Sequence, residues 1–476
     1  MSPANSKTIW IINHFATSPD APGGTRHYEF AVELAKRGYE VTIFAADLNY
    51  MPRKRIHRNN ATERRHRTNG VGFTWVKSLR YKKNNWRRAA NMLSFAFNVI
   101  AIGVVRKRPD LIVGSSPHLF AAMAAYILAR IKGSRFYLEV RDLWPQTLIE
   151  MRGQGAKGKG RRAKSREPRT KNSRLYALSP MPYALCSKSY APSSMLYAIA
   201  IVLLGKIEAL LYRRADRIIV LSEGAGEYIA GRGIDPGKIL LLPNGVYLEQ
   251  FQITESRTNV RARLGLTDKF VVMYAGAHGQ ANALDTILDA GYLMQRAKSI
   301  ERGAKSEEQE ALNSMPYALC SQVAFVLVGD GPCKDELRQI VDEQGLNNVK
   351  MLSAVPKSSI PNMLNAADAL VITLRSVDLF SYGVSPNKLF EYMASGKPIL
   401  CAVNGEVANL VARANAGIAV EPENPEALAQ AILSLARDRK RCSAYGANGR
   451  KFVEENFSRS HIVSKFAKRL ESSPLY

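Results

Sequence analysis

The chain has 476 residues, 46% of them hydrophobic, and a formal net charge of +26. This length exceeds one ordinary core and predicts two or three domains, and the apolar content excludes a disordered chain. Five scattered cysteines make no disulfide framework, so a reducing, cytoplasmic setting is expected; the polar first residues do not read as a signal peptide.

The elements alternate in chain order. Thr8–Ile12 reads as a strand, followed by a loop with Gly23-Gly24, a helix through Tyr28–Arg37 and a second strand at Val41–Ala45. Small residues such as Gly23 and Gly24 let backbone N–H groups approach a phosphate. Residues 51–108 then hold 16 Lys/Arg and one acid. Within them, Ala89–Val105 is the best apolar stretch, too short and too interrupted to span a bilayer, but amphipathic and flanked by arginines. That arrangement fits attachment to an anionic membrane surface; the other reading is a solvated loop.

Leu111–Val113 is a strand ending in Ser115-Ser116-Pro117-His118, with a helix at Leu119–Arg130. His118 either does polar work beyond the strand or caps the helix. Arg135–Val140 is a strand running into Glu139-Val140-Arg141-Asp142-Leu143-Trp144-Pro145. Charged groups at a strand's carboxyl end make Arg141 and Asp142 site candidates, against a plain surface ion pair. Arg217–Leu221 and Ile239–Leu242 lead to Pro243-Asn244-Gly245-Val246, read as the domain junction.

The second half restarts with Phe270–Tyr274, then Gly276-Ala277-His278, a helix near Leu284–Gln295, and strands at Val323–Val328, Val349–Leu352, Ala369–Thr373 and Pro398–Cys401. Two such runs predict an α/β protein of two Rossmann-like, doubly wound domains facing a cleft. The expected boundaries are 1–242 for the first domain, 243–455 for the second, and a terminal helix over 456–476 packing back on the first.

Two inserts interrupt this pattern. Met181–Ser187 recurs residue for residue as Met315–Ser321, each copy beside a polar, low-complexity tract. We expect surface insertions at about 152–195 and 299–321, tolerated because long surface loops cost little. The first adds ten Lys/Arg and one acid over residues 152–174.

The richest segment is Ser385–Leu400. A polar turn opens a helix with apolar Leu389, Phe390 and Met393, and Gly-Lys-Pro closes it. A helix start after a Gly/Ser loop offers free N–H groups and a positive dipole end to a phosphate. Lys388 adds a cation, and Glu391 can accept from sugar hydroxyls.

This segment resembles the donor-binding signature of family 4 glycosyltransferases, which have the GT-B fold, and most closely the N-acetyl-L-fucosamine transferase subgroup of surface polysaccharide synthesis. The resemblance implies that Glu391 binds the nucleotide ribose, that Ser385–Asn387 (Ser385 and Asn387 among them) with Gly23, Gly24, Gly276 and His278 hold the diphosphate, and that Val355 lies along the base. The family's common first glutamate is replaced by Gly383. Its phosphate-gripping Arg and Lys are replaced by Ala277 and Asn282, and its His-x-Pro histidine by Ser115. The cation for the leaving diphosphate then falls to Lys388. Arg141 and Asp142 are assigned to the acceptor, and Asp142 and His118 join Lys388 as catalytic candidates. Implied are a retaining transfer from a UDP-sugar to a lipid-linked or growing saccharide at the inner membrane face, a peripheral location, and no metal or other cofactor. A UDP-N-acetylglucosamine 2-epimerase-like enzyme would need clustered acids and histidines, and a nucleic-acid-binding protein would need a motif beside its basic segments; no specific nucleic acid partner is expected.

Overall fold

A computed structural model describes residues 7–17, 25–48, 63–81, 86–116, 118–147, 149, 194–297, 317–377 and 385–472. Gly23, Gly24, Gly383 and the first copy of the repeat lie outside these residues. The chain divides into two compact units, one ending at Pro243 and resuming at Ser460, the other running from Asn244 to Arg459.

The first unit is built on an eight-stranded sheet: β1 (Thr8–Ile12), β2 (Glu40–Ala46), β3 (Glu63–Thr68), β4 (Val71–Val76), β5 (Leu111–Ser115), β6 (Arg135–Val140), β7 (Arg217–Val220) and β8 (Ile239–Leu241). Their order is β3-β4-β2-β1-β5-β6-β7-β8. All neighbours are parallel except the β3–β4 pair. β3 and β4 fall inside the basic segment, where no strand is expected from the sequence. Val71, Phe73 and Trp75 of β4 are buried in the core beside Val41 and Ile43. One face of the sheet is covered by helix Arg26–Ala35 and by the C-terminal helix Arg459–Ser472, whose Ile462, Val463 and Phe466 join that core. Helix Leu119–Lys132 packs against both helix Trp86–Val104 and helix Ser194–Arg214. No described helix is long and apolar enough to cross a membrane.

The second unit has six parallel strands: β9 (Phe270–Ala275), β10 (Val323–Val328), β11 (Val349–Leu352), β12 (Ala369–Thr373), β13 (Ile399–Ala402) and β14 (Gly417–Ala419), in the order β11-β10-β9-β12-β13-β14. β9 is buried at every position, as a parallel strand covered on both faces must be. Val271 and Met273 face one core, with Leu389, Phe390 and Met393 of helix Asn387–Ala394. Phe270 and Val272 face the other, with Leu428 and Ile432. In both sheets the strand order reverses beside the first strand of the unit, the place where such sheets bind ligands at their carboxyl ends.

The end of the second repeat copy lies among the described residues. Tyr317–Cys320 forms a helical turn just before β10, and Cys320 is 2% exposed among the residues of the core. Of that repeat copy, Cys320 is thus core and Leu319 packs partly against it, while Ala318 and Ser321 stay exposed; an apolar side chain beside a buried strand gains by burial.

Candidate active site

In the second unit the loops after β9, β10 and β12 converge on the start of helix Asn387–Ala394. The floor is main chain. A Cβ on Gly329 would lie 1.9 Å from the Gly276 carbonyl oxygen, so only glycine allows the β9 and β10 exits to touch. Tyr392 on the helix locks it to β9: its hydroxyl accepts from the Ala275 N–H at 2.8 Å and reaches the Ala275 carbonyl at 3.1 Å.

Lys388 lies over this floor. Its ammonium donates to the Tyr274 hydroxyl at 2.8 Å and to the Asn282 carboxamide oxygen at 2.7 Å, 4.4 Å above the Tyr274 ring. Gly276 is beside the Lys388 stem, a built Cβ coming within 3.4 Å of Cε. Burial brings the Lys388 pKa down to about 7, with Glu391 opposing the shift. Among the described residues no carboxylate pairs with the ammonium, and two of its three N–H donors are engaged. Arg375, after β12, is different: its guanidinium is committed to Asp285 at 2.7 Å and Glu423 at 2.8 Å. Lys334 donates to the Gly329 carbonyl at 2.9 Å. Lys388 and Lys334 are thus both held by neutral oxygens among the described residues, Lys334 by a main-chain carbonyl and Lys388 by two side chains.

His278 is fully buried. Its backbone N–H donates to Asp330 O at 2.8 Å and its carbonyl accepts from Cys333 N at 3.0 Å, while its ring nitrogens have no side-chain partner among the described residues. Burial, helped by Lys334, lowers its pKa to about 4, so the ring is neutral. Glu391 is half-buried, and burial raises its pKa against the pull of Lys357 and Lys388; its carboxylate accepts no hydrogen bond from a described residue. Ser385 and Asn387 flank Pro386 at the helix start, where Pro386 gives no side-chain cap and the Asn387 carboxamide oxygen is buried without a partner among the described residues. Val355 is partly buried against the same core. The structure thus gathers Gly276, His278, Lys388 and Glu391, with Ser385 and Asn387 at the same helix start.

The strand ends of the first unit carry another cluster. Glu139, 4% exposed, accepts from Arg26 Nε at 3.0 Å and the Ser115 hydroxyl at 2.5 Å, and meets His27 Nε2 at 2.6 Å. Burial would raise the Glu139 carboxyl, but His27 and the Arg26 guanidinium outweigh it and hold it well below the usual range. Burial keeps His27 below its ordinary value, with Glu139 opposing the shift. Arg26 also donates to the carbonyls of Leu242 and Pro243, both at 2.7 Å.

His118 caps its helix: Nδ1 accepts from the Ala121 N–H at 3.3 Å. With Nδ1 accepting and its pKa pushed well below 6.5 by burial, with His14 and Arg88 adding to the effect, the ring carries its proton on Nε2 and has no charge to donate from. Arg141 and Asp142 are half-buried and are not a surface ion pair. The Arg141 N–H donates to the Ser116 hydroxyl at 2.9 Å, and burial raises the Asp142 carboxyl although Arg141 opposes it. Arg26, His27 and Tyr274 are the residues the sequence pattern leaves unmarked, and Glu139 and Asn282 are quoted in its motifs without a role. Arg26 and His27 directly follow the Gly-Gly-Thr turn, the nearest thing to a mark they have. Among the described residues no group of three His, Cys, Asp or Glu side chains is gathered as for a metal.

Known proteins share the sequence family and the fold. Residues 23–245 match the Glycosyl transferase 4-like domain family and residues 309–452 match Glycosyl transferases group 1. The chain is 23% identical over 470 residues, 96% of its length and 98% of the relative's, to WcaI of Escherichia coli (strain K12), named as a glycosyl transferase for colanic acid biosynthesis. Its fold is similar to that of Anabaena Alr3699/HepE in complex with UDP-glucose (TM-score 0.62, 17% identity, covering 98% of this chain and 100% of that one). It is also similar to sucrose-phosphate synthase from Thermosynechococcus elongatus (TM-score 0.68, 17% identity, 98% of each). Two glycosyl transferase domains in succession, on two doubly wound sheets, make this protein a glycosyltransferase of the GT-B fold.

Proposed function

We propose that the protein transfers a sugar from a UDP-sugar, with retention of anomeric configuration, to a lipid-linked or growing saccharide in surface polysaccharide synthesis. The observation that carries this reading is the Lys388 ammonium, held by two neutral oxygens at the first turn of the helix that also bears Glu391. A diphosphate supplies the countercharge this cation lacks, and charge grows on the leaving diphosphate in the transition state. Glu391, one turn further on, would take the ribose hydroxyls. Asp142 and Arg141 are our candidates for the acceptor, and the reaction needs no metal because Lys388 and the helix start supply the positive field. A relative named for colanic acid biosynthesis and a fold neighbour bound to UDP-glucose support the donor and the pathway class; the N-acetyl-L-fucosamine transferase resemblance is our guide to the sugar. In this reading the domains run 1–242 and 243–455 with a terminal helix.

The acceptor reading includes peripheral attachment to the inner membrane face. Helix Trp86–Val104 leaves Trp86 64% and Phe97 72% exposed, and helix Ser194–Arg214 exposes Ile199, Val202 and Leu203; with Arg87, Lys107 and Arg108 nearby, this suits an anionic lipid surface. Co-sedimentation with phosphatidylglycerol vesicles, lost on Phe97→Ser, checks it.

The central test is titration of the purified full chain with UDP and GDP, followed by assay with UDP-sugars and lipid-linked acceptors. Glu391→Ala and Lys388→Ala should each weaken UDP binding at least about tenfold, and Lys388→Ala should cut turnover by about 10²–10³. Wild-type UDP affinity in both variants would overturn the site.

A further inference from the structure

The segment between the two units is held carbonyl by carbonyl. Arg26 takes the carbonyls of Leu242 and Pro243 at 2.7 Å each. Arg459, itself buried, takes those of Asn244 at 3.1 Å and Gly245 at 2.8 Å. Val246 N–H donates to Phe457 O and Arg459 N–H to Val246 O, both at 3.0 Å. Gly245 turns the chain with φ 62°, a conformation glycine adopts without strain. The Asn244 backbone is therefore fixed on both sides, and its side chain, on a residue 2% exposed, points at one target. Its carboxamide N–H donates to the Ser385 carbonyl oxygen at 2.5 Å.

The position of that carbonyl matters. Ser385 is two residues before helix Asn387–Ala394, and the first helical N–H groups there have no intrahelical partner. Leu389 N–H is already taken by Pro386 O at 3.1 Å, which leaves those of Asn387 and Lys388. A Ser385 carbonyl free to rotate would turn toward these donors as an extra helical turn. It would consume an N–H group and present a partial negative charge where a diphosphate is to bind.

We propose that Asn244 is a positioning residue for the donor diphosphate: by holding the Ser385 carbonyl away from the helix start, it keeps the Asn387 and Lys388 N–H groups open to phosphate. The inference rests on the donor site argued above. Asn244 touches no reacting atom and acts through the Ser385–Pro386 peptide.

The test compares Asn244→Asp, which keeps the shape and loses the donor, and Asn244→Ala with the wild type, by titration with UDP and with uridine on the full chain. Both variants should lose about tenfold in UDP affinity and keep wild-type uridine affinity, since uridine has no diphosphate. In turnover assays the KM for the UDP-sugar should rise and that for the acceptor should stay. Equal losses for UDP and uridine, or a lowered melting temperature with unchanged UDP affinity, would make Asn244 merely structural and overturn the proposal. If Glu391→Ala weakens UDP binding and the Asn244 variants do not, this inference fails alone. If the wild type binds neither UDP nor GDP, the donor reading fails and takes this one with it.

Discussion

The strand ends of the two units carry charge in opposite ways. In the first, Glu139 is enclosed by Arg26, His27 and Ser115, so each charge has its answer inside the protein. In the second, Lys388 touches only neutral oxygens, and Glu391 and His278 lack side-chain partners among the described residues. A network that satisfies itself is a scaffold, because a ligand entering it must break something. A site that withholds partners is charged for something else to bind. Burial disfavours charge in both, yet internal pairs offset that cost for Glu139 and not for Lys388.

The largest expected effect breaks the scaffold. Glu139→Ala leaves a buried arginine unanswered and should cost about 3–5 kcal/mol of stability, read by urea unfolding. Glu139→Gln keeps a hydrogen-bond acceptor and should cost less. If Glu139→Ala unfolds like the wild type, the closed network is not structural.

The next effect separates the two regions by pH. The Lys388 pKa is lowered from 10.5 to about 7. Between those values the unfolded chain binds the extra proton, so this group makes stability rise with pH. Binding of a diphosphate needs the charged form, so affinity for a UDP-sugar should fall over the same window, by up to about tenfold per pH unit above 7. A UDP-sugar is the right probe because its own diphosphate does not titrate there. Calorimetric titration between pH 6 and 9 checks the slope, and Lys388→Met should flatten it. Parallel rather than opposite slopes for stability and binding would refute the assignment.

The smallest effect concerns His118. His118→Ala removes a helix cap and should cost about 1 kcal/mol, while His118→Asn keeps an acceptor and should restore most of it. Turnover should follow stability in both variants. A loss of turnover in the stable His118→Asn protein would return the histidine to the chemistry.

The fold was readable from the sequence because it is written in local pattern. Buried parallel strands such as Val323–Val328 are continuous apolar runs, and glycine turns mark their exits. β3 escaped because Arg64, Arg65 and Arg67 crowd it at the sheet margin, where a charged edge strand looks like a loop; β4 is apolar but short and lies inside the same basic segment. The grouping of Gly276 with Lys388 across a hundred residues was reached through family resemblance, not spacing. Tyr274 could not be recognised at all: in a strand buried throughout, a tyrosine reads as core, and only the fold turns its hydroxyl toward Lys388. Arg26 and His27 were hidden for a related reason. On a first helical turn, periodicity marks charged residues as solvent-facing, and only the position of Glu139 draws them inward.

The antiparallel strand β3 lies at the end of the first sheet, with Arg64, Arg65 and His66 all exposed. An open strand edge invites another chain to add itself, and rows of positive charge discourage that. Part of the protein's basic character therefore stands where positive charge would discourage two copies from pairing at the sheet margin. Neutralising Arg64 and Arg65 would cost the isolated molecule little and would show itself only when molecules are crowded.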